Sequence, residues 1–312
     1  MSKACHSVIR VENLSKAYGG VKALNGINFE VHRGEIFGFL GPNGAGKTTA
    51  IRCMLDLIRP SSGLLSVVGH DPRRNPVAVR ARCGYLPGEL RFDENITVNE
   101  ALGFFRQLRG GDSACRRRAD ALSERLELSK ASKIKNLSKG NKQKIGIVAA
   151  FMHEPELLLL DEPTSGLDPL VQQSVMELVA EARQGGATVF FSSHVLTEVQ
   201  AVAGRVAIIR DGRIVEVAET TDLSARGAVE VRVTFANPVT LEKTQLGALP
   251  GVKLINSDAD GRFVELSVKG KMDGLIKWLS QYPVASLETR RCGLEQVFHA
   301  HYGSEWEKAT QR

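Results

Sequence analysis

Long hydrophobic runs are missing from this 312-residue chain: no apolar stretch approaches the length of about 20 residues that crosses a bilayer. The opening residues, Met1-Ser2-Lys3-Ala4-Cys5-His6, also lack the apolar centre of a signal peptide. The expectation is a chain that is soluble by itself. Cysteine is sparse and disorganised. The five residues (Cys5, Cys53, Cys83, Cys115 and Cys292) are odd in number and include no Cys-x-x-Cys pair, which argues against a disulfide framework or a zinc site and fits a reducing cytoplasm. A strong excess of one charge is missing too. The formal net charge of +6 is modest for this length and is not gathered into one tract, so a nucleic-acid partner is not expected. Arg116-Arg117-Arg118 reads as a solvated helix face.

At this length the chain exceeds one typical core and is expected to form two domains. Its first informative run is GPNGAGKTT, residues 41–49, with the spacing of a phosphate-binding P-loop. By itself the run could be a glycine-rich turn. Its flanks favour phosphate: residues 35–40 read as a short buried strand and residues 49–58 as a helix whose positive end faces the loop. Gly41, Pro42, Asn43, Gly44, Ala45, Gly46, Lys47, Thr48 and Thr49 are therefore the expected nucleotide-binding residues. Backbone N–H groups would cradle phosphate oxygens, Lys47 would reach the β- and γ-phosphates, and the Thr48 hydroxyl would ligate Mg²⁺.

Upstream, residues 8–11 and 26–31 are strand-like and separated by turns, which suggests an antiparallel hairpin; residues 64–68 read as a further strand. From about 95 to 152 the periodicity becomes helical. Thr97 and Glu100 make a capping-box pattern, Gly110-Gly111 stops the first helix, and a second carries Leu122 and Leu126. An apolar strand at 157–160 then ends in Asp161-Glu162. Ending beside the P-loop, such a strand would place Asp161 near Mg²⁺, directly or through water, and Glu162 near the γ-phosphate as a base. Without a P-loop the same acids would read as the solvated end of a buried strand.

The tracts EPTSGLDP (162–169) and FFSSH (190–194) resemble the ATP-binding subunits of ABC transporters, and the resemblance runs from residue 8 to about 220. It implies an α/β fold: a P-loop ATPase domain with a parallel-rich core sheet, an antiparallel β subdomain and a helical subdomain at about 90–152. It also implies ATP and Mg²⁺ as cofactors, adenine stacking on Tyr18, γ-phosphate contact from His194, and a dimer interface at Ser165 to Asp168. The family signature LSGGQ is here Leu137-Ser138-Lys139-Gly140-Asn141. Ser138 and Gly140, which in the family bind ATP held by the opposite subunit, are retained, and Ser138 also suits a helix N-cap. Where the family has glutamine after Pro87, this chain has Gly88; the adjacent Glu89 is the nearest carboxylate that could take over toward Mg²⁺, whereas Gly88 could simply make a flexible turn.

Residues 225–312 carry no nucleotide motif. They read as a small α+β C-terminal domain, ferredoxin-like in order: strands at 229–235, 252–256, 263–268 and 284–289, with helices at 241–249, 272–281 and 294–302. The ATP-binding domain is accordingly set at 1–224. The final helix, GLEQVF with Tyr302 beyond, resembles the extension of the drug-exporter branch, where it would stabilise a dimer or regulate; a packed domain without ligand is the other reading.

The resemblance implies an ATPase that pairs with a second copy or a second ABC ATPase and works on the cytoplasmic face of the membrane through a separate integral-membrane permease. Glu162, Lys47 and His194 would carry the hydrolysis. The other readings are an importer ATPase, and a soluble ATPase acting on ribosomes or DNA. A single P-loop and the absence of sustained heptads between Lys47 and Ser138 argue against the last.

Overall fold

The computed structural model describes residues 7–226, 229–239, 249–258 and 260–291. The chain divides into two compact units, residues 1–218 and 219–312, a boundary six residues ahead of the expected one.

In the first unit the long strands β1 (Ser7–Tyr18) and β2 (Val21–His32) form an antiparallel hairpin. They are longer than the apolar runs suggested, because the half-exposed ends pair as well. A later strand, β4 (Ser62–Val67), adds to β1 in the same three-stranded sheet. The hairpin covers a second sheet through aromatic packing. Phe29 on β2 stacks on Phe37 of β3 (Ile36–Leu40) and on Phe190 of β7 (Thr188–Ser193), with ring centroids 5.8 and 5.9 Å apart.

That second sheet has six strands in the order β5-β6-β7-β3-β8-β9, with β5 at Cys83–Leu86, β6 at Leu157–Asp161, β8 at Arg205–Arg210 and β9 at Arg213–Glu219. β5, β6, β7, β3 and β8 run parallel. Every residue of β3, β6 and β7 is buried, as expected of strands covered on both faces. β8 and β9 are joined by Asp211-Gly212, both at positive φ, a tight turn suited to a hairpin.

Helices flank these strands: α1 (Lys47–Met54), α2 (Pro76–Arg82), α3 (Val98–Leu108), α4 (Ser113–Arg125), α5 (Lys139–Phe151), α6 (Pro169–Gln184) and α7 (Leu196–Val202). α1 begins two residues earlier and ends four residues sooner than its sequence suggests; residues 55–58 turn back, with Leu57 N bonding to Arg52 O. The capping box forms as expected: Glu100 N donates to Thr97 Oγ1 at 3.2 Å and Thr97 N to Glu100 Oε2 at 2.7 Å. On α4, Arg116 and Arg117 are exposed while Arg118 pairs with Glu154.

The second unit opens with α8 (Thr220–Arg226) and contains four strands, β10 (Val229–Phe235), β11 (Val252–Ser257), β12 (Phe263–Val268) and β13 (Val284–Arg291), plus α9 (Asp273–Leu279). Their order, β11-β12-β10-β13, is antiparallel throughout and is that of a ferredoxin-like sheet. Trp278 and Leu275 of α9 pack on Val231, Val233 and Leu266 to make its core. The helices expected at 241–249 and 294–302 fall almost wholly outside the described residues.

Candidate functional site

Parallel pairing brings four strand ends to one edge of the central sheet. Leu86 is in register with Leu160, Asp161 with Ser192, and Leu40 with Ser193. The segments leaving β5, β6, β7 and β3 therefore start side by side: the Pro87-Gly88 turn, Glu162, His194 and the P-loop. Loops at the carboxyl ends of parallel strands are where α/β folds hold ligands.

Gly46 gives α1 its entry angle. It sits at φ 110°, and a Cβ there would lie 2.5 Å from Ala23 O, so a larger residue would strain the backbone and collide with it. α1 then starts without a side-chain cap, leaving its first backbone N–H groups to an external acceptor such as phosphate. Lys47 is 5% exposed and donates to Gly41 O at 2.5 Å and Pro42 O at 3.2 Å. Its Nζ also lies 3.0 Å from Glu162 Oε1. Thr48 and Thr49 are half-buried on the first turn of α1, while Asn43 and Gly44 are exposed at the loop tip.

Glu162 is the junction of the site. Oε2 accepts from His194 Nδ1 at 2.6 Å while Oε1 faces Lys47. Burial by itself would push the Glu162 carboxyl up, but the His194 hydrogen bond and the Lys47 charge outweigh it and hold the group below its ordinary value of 4.5. The same bond raises His194 above its ordinary 6.5, against the effect of burial. The two shifts run in opposite directions, each favouring the charged form of its group. Glu162 also has φ 52°, a left-handed backbone that non-glycine residues hold only when neighbours enforce it. Here its N–H donates to Ser192 O and Ser192 Oγ, both at 3.2 Å.

Asp161 is fully buried. Its Oδ1 accepts from Ser192 Oγ at 2.6 Å, while Oδ2 has no hydrogen-bond partner among the described residues. An orphaned buried carboxylate oxygen beside a P-loop fits a divalent cation. No cluster of three acidic, His or Cys side chains suited to a metal exists among the described residues. Gly88 approaches the same oxygen. A Cβ there would lie 3.2 Å from Asp161 Oδ2, so bare backbone faces the acid at this position. The Glu89 side chain is 80% exposed and 3.9 Å from Arg91, lining an outer groove, so it lies outside Asp161's buried setting.

Tyr18, at the end of β1, is 48% exposed with Lys16 Nζ 5.0 Å above its ring, leaving an aromatic face at the surface. Ser138 caps α5, accepting from Asn141 N at 3.2 Å. A Cβ on Gly140 would stand 2.7 Å from Gly166 O, so the start of α5 rests directly on the segment after Glu162. Asp168 caps α6, accepting from Val171 N at 3.0 Å. Gly140 is therefore brought against the Gly166 segment that precedes Asp168, while Ser138 and Asp168 each cap their own helix.

Three further side chains, not singled out from the sequence, hold the loops that carry Asp161 and Glu162. Ser192 bridges Asp161 and Glu162. Glu198 on α7 accepts from Thr164 Oγ1 at 2.5 Å and Ser193 Oγ at 2.6 Å, tying the two active loops together. Gln143, 5% exposed on α5, donates to the carbonyls of Glu162 and Pro163, each at 3.3 Å. Ser192 follows Phe191 in the FFSSH tract and could have been singled out there; Glu198 and Gln143 could not, since only the fold aligns them.

A groove of about 900 Å³ lies beside the Gly88 turn, bounded by α2 and α3. Phe92 and Phe105 meet edge to face on its floor, and Val77 and Leu108 stand on its rim, 74% and 66% exposed. Four arginines line it against a single carboxylate, Glu89.

Residues 24–165 match the model of the family described as ABC transporter. The daunorubicin resistance ATP-binding protein DrrA3 of Streptomyces coeruleorubidus is 35% identical over 94% of this chain and 95% of its own length. This chain belongs to the ABC transporter ATP-binding family. The bacitracin transport ATP-binding protein BcrA of Enterococcus faecalis is 38% identical over 70% of this chain and 71% of its own. Among solved structures, an ATP-binding subunit of an ABC transporter superimposes with a TM-score of 0.65 at 32% identity, covering 70% of this chain and 92% of that one. The matched residues fall within the first unit, where Lys47, Asp161, Glu162 and His194 lie at the P-loop edge of the sheet. The chain is an ATPase subunit that powers a membrane transporter.

Proposed function

We propose that this ABC ATPase drives export through a separate integral-membrane permease, with two ATPase subunits closing over two Mg-ATP. The observation that carries the reading is the chain of contacts from Lys47 to Glu162 to His194 in front of buried Asp161. In it Lys47, once nucleotide displaces it from Gly41 O and Pro42 O, holds the β- and γ-phosphates, and Tyr18 stacks on the adenine. Thr48 and Asp161 would hold Mg²⁺, which supplies charge neutralisation at the phosphates. Glu162 orients the attacking water and takes its proton; its low proton affinity leaves it ionised for that task at neutral pH. His194 holds the Glu162 carboxylate in line and, with its imidazolium charge, senses the γ-phosphate.

Ser138 and Gly140, at the N-terminus of α5, serve the ATP bound by the opposite subunit, and Asp168 lies at the seam between the two. The partner subunit is a second copy or a related ABC ATPase. Lys139 leaves this arrangement intact because its aliphatic stem lies beside Gly166, where an added Cβ would meet it at 3.5 Å, while the Ser138 cap is made.

No helix among the described residues is long and apolar enough to cross a membrane, so the transport pathway is assigned to the permease, with the ATPase on its cytoplasmic face. The groove beside Gly88 is where the permease docks. Its apolar floor and rim with surrounding arginines suit a short amphipathic helix carrying acidic side chains. Export is supported by the relatives' names, which speak of daunorubicin resistance and bacitracin transport. The test is reconstitution: ATP turnover and substrate movement are measured in proteoliposomes holding a permease that co-purifies with this chain, with and without the ATPase. Uptake toward the ATPase side, or no stimulation of turnover by the permease, overturns the assignment.

A further inference from the structure

We infer that Gln143 is a positioning residue for hydrolysis, fixing the backbone of Glu162 from the side opposite Ser192. The inference rests on the reading of Glu162 as the base. Glu162 sits at φ 52°, a conformation that costs energy and persists only when the surroundings over-determine it. On its N-terminal side the constraint is visible: the Glu162 N–H donates to Ser192 O and Ser192 Oγ. On its C-terminal side the Gln143 amide donates to Glu162 O and Pro163 O, each at 3.3 Å, and Glu162 O also accepts from Ser165 N at 3.1 Å.

Gln143 is 5% exposed, on a helix whose first turn presses on the same loop. Gly140 abuts Gly166 O, and the Lys139 stem covers Gly166. α5, which begins at the signature, is therefore fastened to the residue bearing the base by a buried amide and by the close packing of Lys139 and Gly140 on Gly166. An amide in such a place both holds the carboxylate in line and carries any displacement of α5 to it. Glutamine meets the need because its two N–H donors diverge from one nitrogen and reach successive carbonyls. A carboxylate there would repel both oxygens, and an apolar side chain would leave both carbonyls without this donor.

The experiment uses the full chain and compares Gln143→Met, which keeps length but removes the donors, with Gln143→Asn, which is shorter and withdraws them with less change in packing. ATP binding is followed with a fluorescent ATP analogue, turnover by phosphate release, and folding by thermal unfolding; if one variant is unstable the other is read. The expected result is a fall in kcat of about tenfold or more, with ATP affinity unchanged within about twofold. In the Glu162→Gln background, single-turnover rates should then show no additional loss from Gln143→Met, because the two residues act as a unit. Unchanged kcat, equal losses in kcat and ATP affinity, or full additivity with Glu162→Gln would each overturn the inference. Failure of the base assignment shows separately, as near-parental turnover by Glu162→Gln alone, and takes the inference with it.

Discussion

Glu162 Oε2 accepts a 2.6 Å hydrogen bond from His194 Nδ1, although the two residues are 32 positions apart and leave different strands. The bond sets the charge of both groups: the carboxyl is held below its ordinary range and the imidazole above it. A carboxylate and the imidazole bonded to it are therefore assembled by strand order, as the proposed base and its partner require.

The first consequence concerns chemistry. Glu162→Gln keeps the shape of the side chain but cannot take a proton, so steady-state ATP hydrolysis should fall by roughly 10²- to 10⁴-fold. ATP binding should survive, since Lys47 and the P-loop backbone are untouched, and the ATP-bound dimer should accumulate on gel filtration. Normal turnover would remove Glu162 from the mechanism.

A second consequence is a dependence of stability on pH. The folded-state pKa of His194 lies above 6.5, so its contribution is fully present below pH 6.5 and is lost as pH rises through the raised value. That of Glu162 lies below 4.5, so its contribution is present above pH 4.5 and is lost as pH falls through the lowered value. The two charges coexist between these limits. Urea unfolding without nucleotide should show stability declining on the alkaline side of pH 6.5, and His194→Asn should flatten that decline. A parallel decline in both proteins would mean that another group is responsible.

The proposed Mg²⁺ ligand yields a third. Asp161 offers an orphaned buried oxygen, whereas Glu89 is 80% exposed and paired with Arg91. Titrating Mg²⁺ against nucleotide binding should show the same dependence for Glu89→Ala as for the parent, and about tenfold or more Mg²⁺ required for Asp161→Asn. A shifted Mg²⁺ requirement in Glu89→Ala would return that carboxylate to the site.

Docking gives a fourth. Val77 and Leu108 project from the groove rim and contribute little to folding, so Leu108→Asp should change stability by no more than about 0.5 kcal/mol. Association with the permease should weaken by about tenfold or more, as for loss of an apolar anchor. Permease affinity measured in detergent, set beside ATP affinity, separates the two roles. Weakened association at unchanged ATP affinity supports the groove, and unchanged association places the permease elsewhere.

Much of the ATP site could be read residue by residue because its parts are local. A P-loop is nine consecutive residues, Thr97 to Glu100 cap their own helix, and LLLLDE states its burial by composition. Local patterns also marked β10 and β12 at the bounds they have in the structure. Element ends were less legible: β1 and β2 extend into polar residues because each supplies the other's hydrogen bonds, and α1 stops at Met54 where the chain folds back on Arg52 O.

By itself, then, the sequence determined which groups are candidates for the chemistry: a phosphate loop, two carboxylates after a buried strand, and a histidine after another. It also determined the family, through tracts that need no partner to be recognised. Tertiary structure alone decided how they act. Whether Glu89 or bare Gly88 faces Asp161, whether Gln143 reaches Glu162 O, and whether His194 meets the Glu162 carboxylate all depend on register between strands distant in sequence. The reason is physical: hydrogen-bond geometry is set over tenths of an ångström, and only packing of the sheet and α5 fixes positions to that precision.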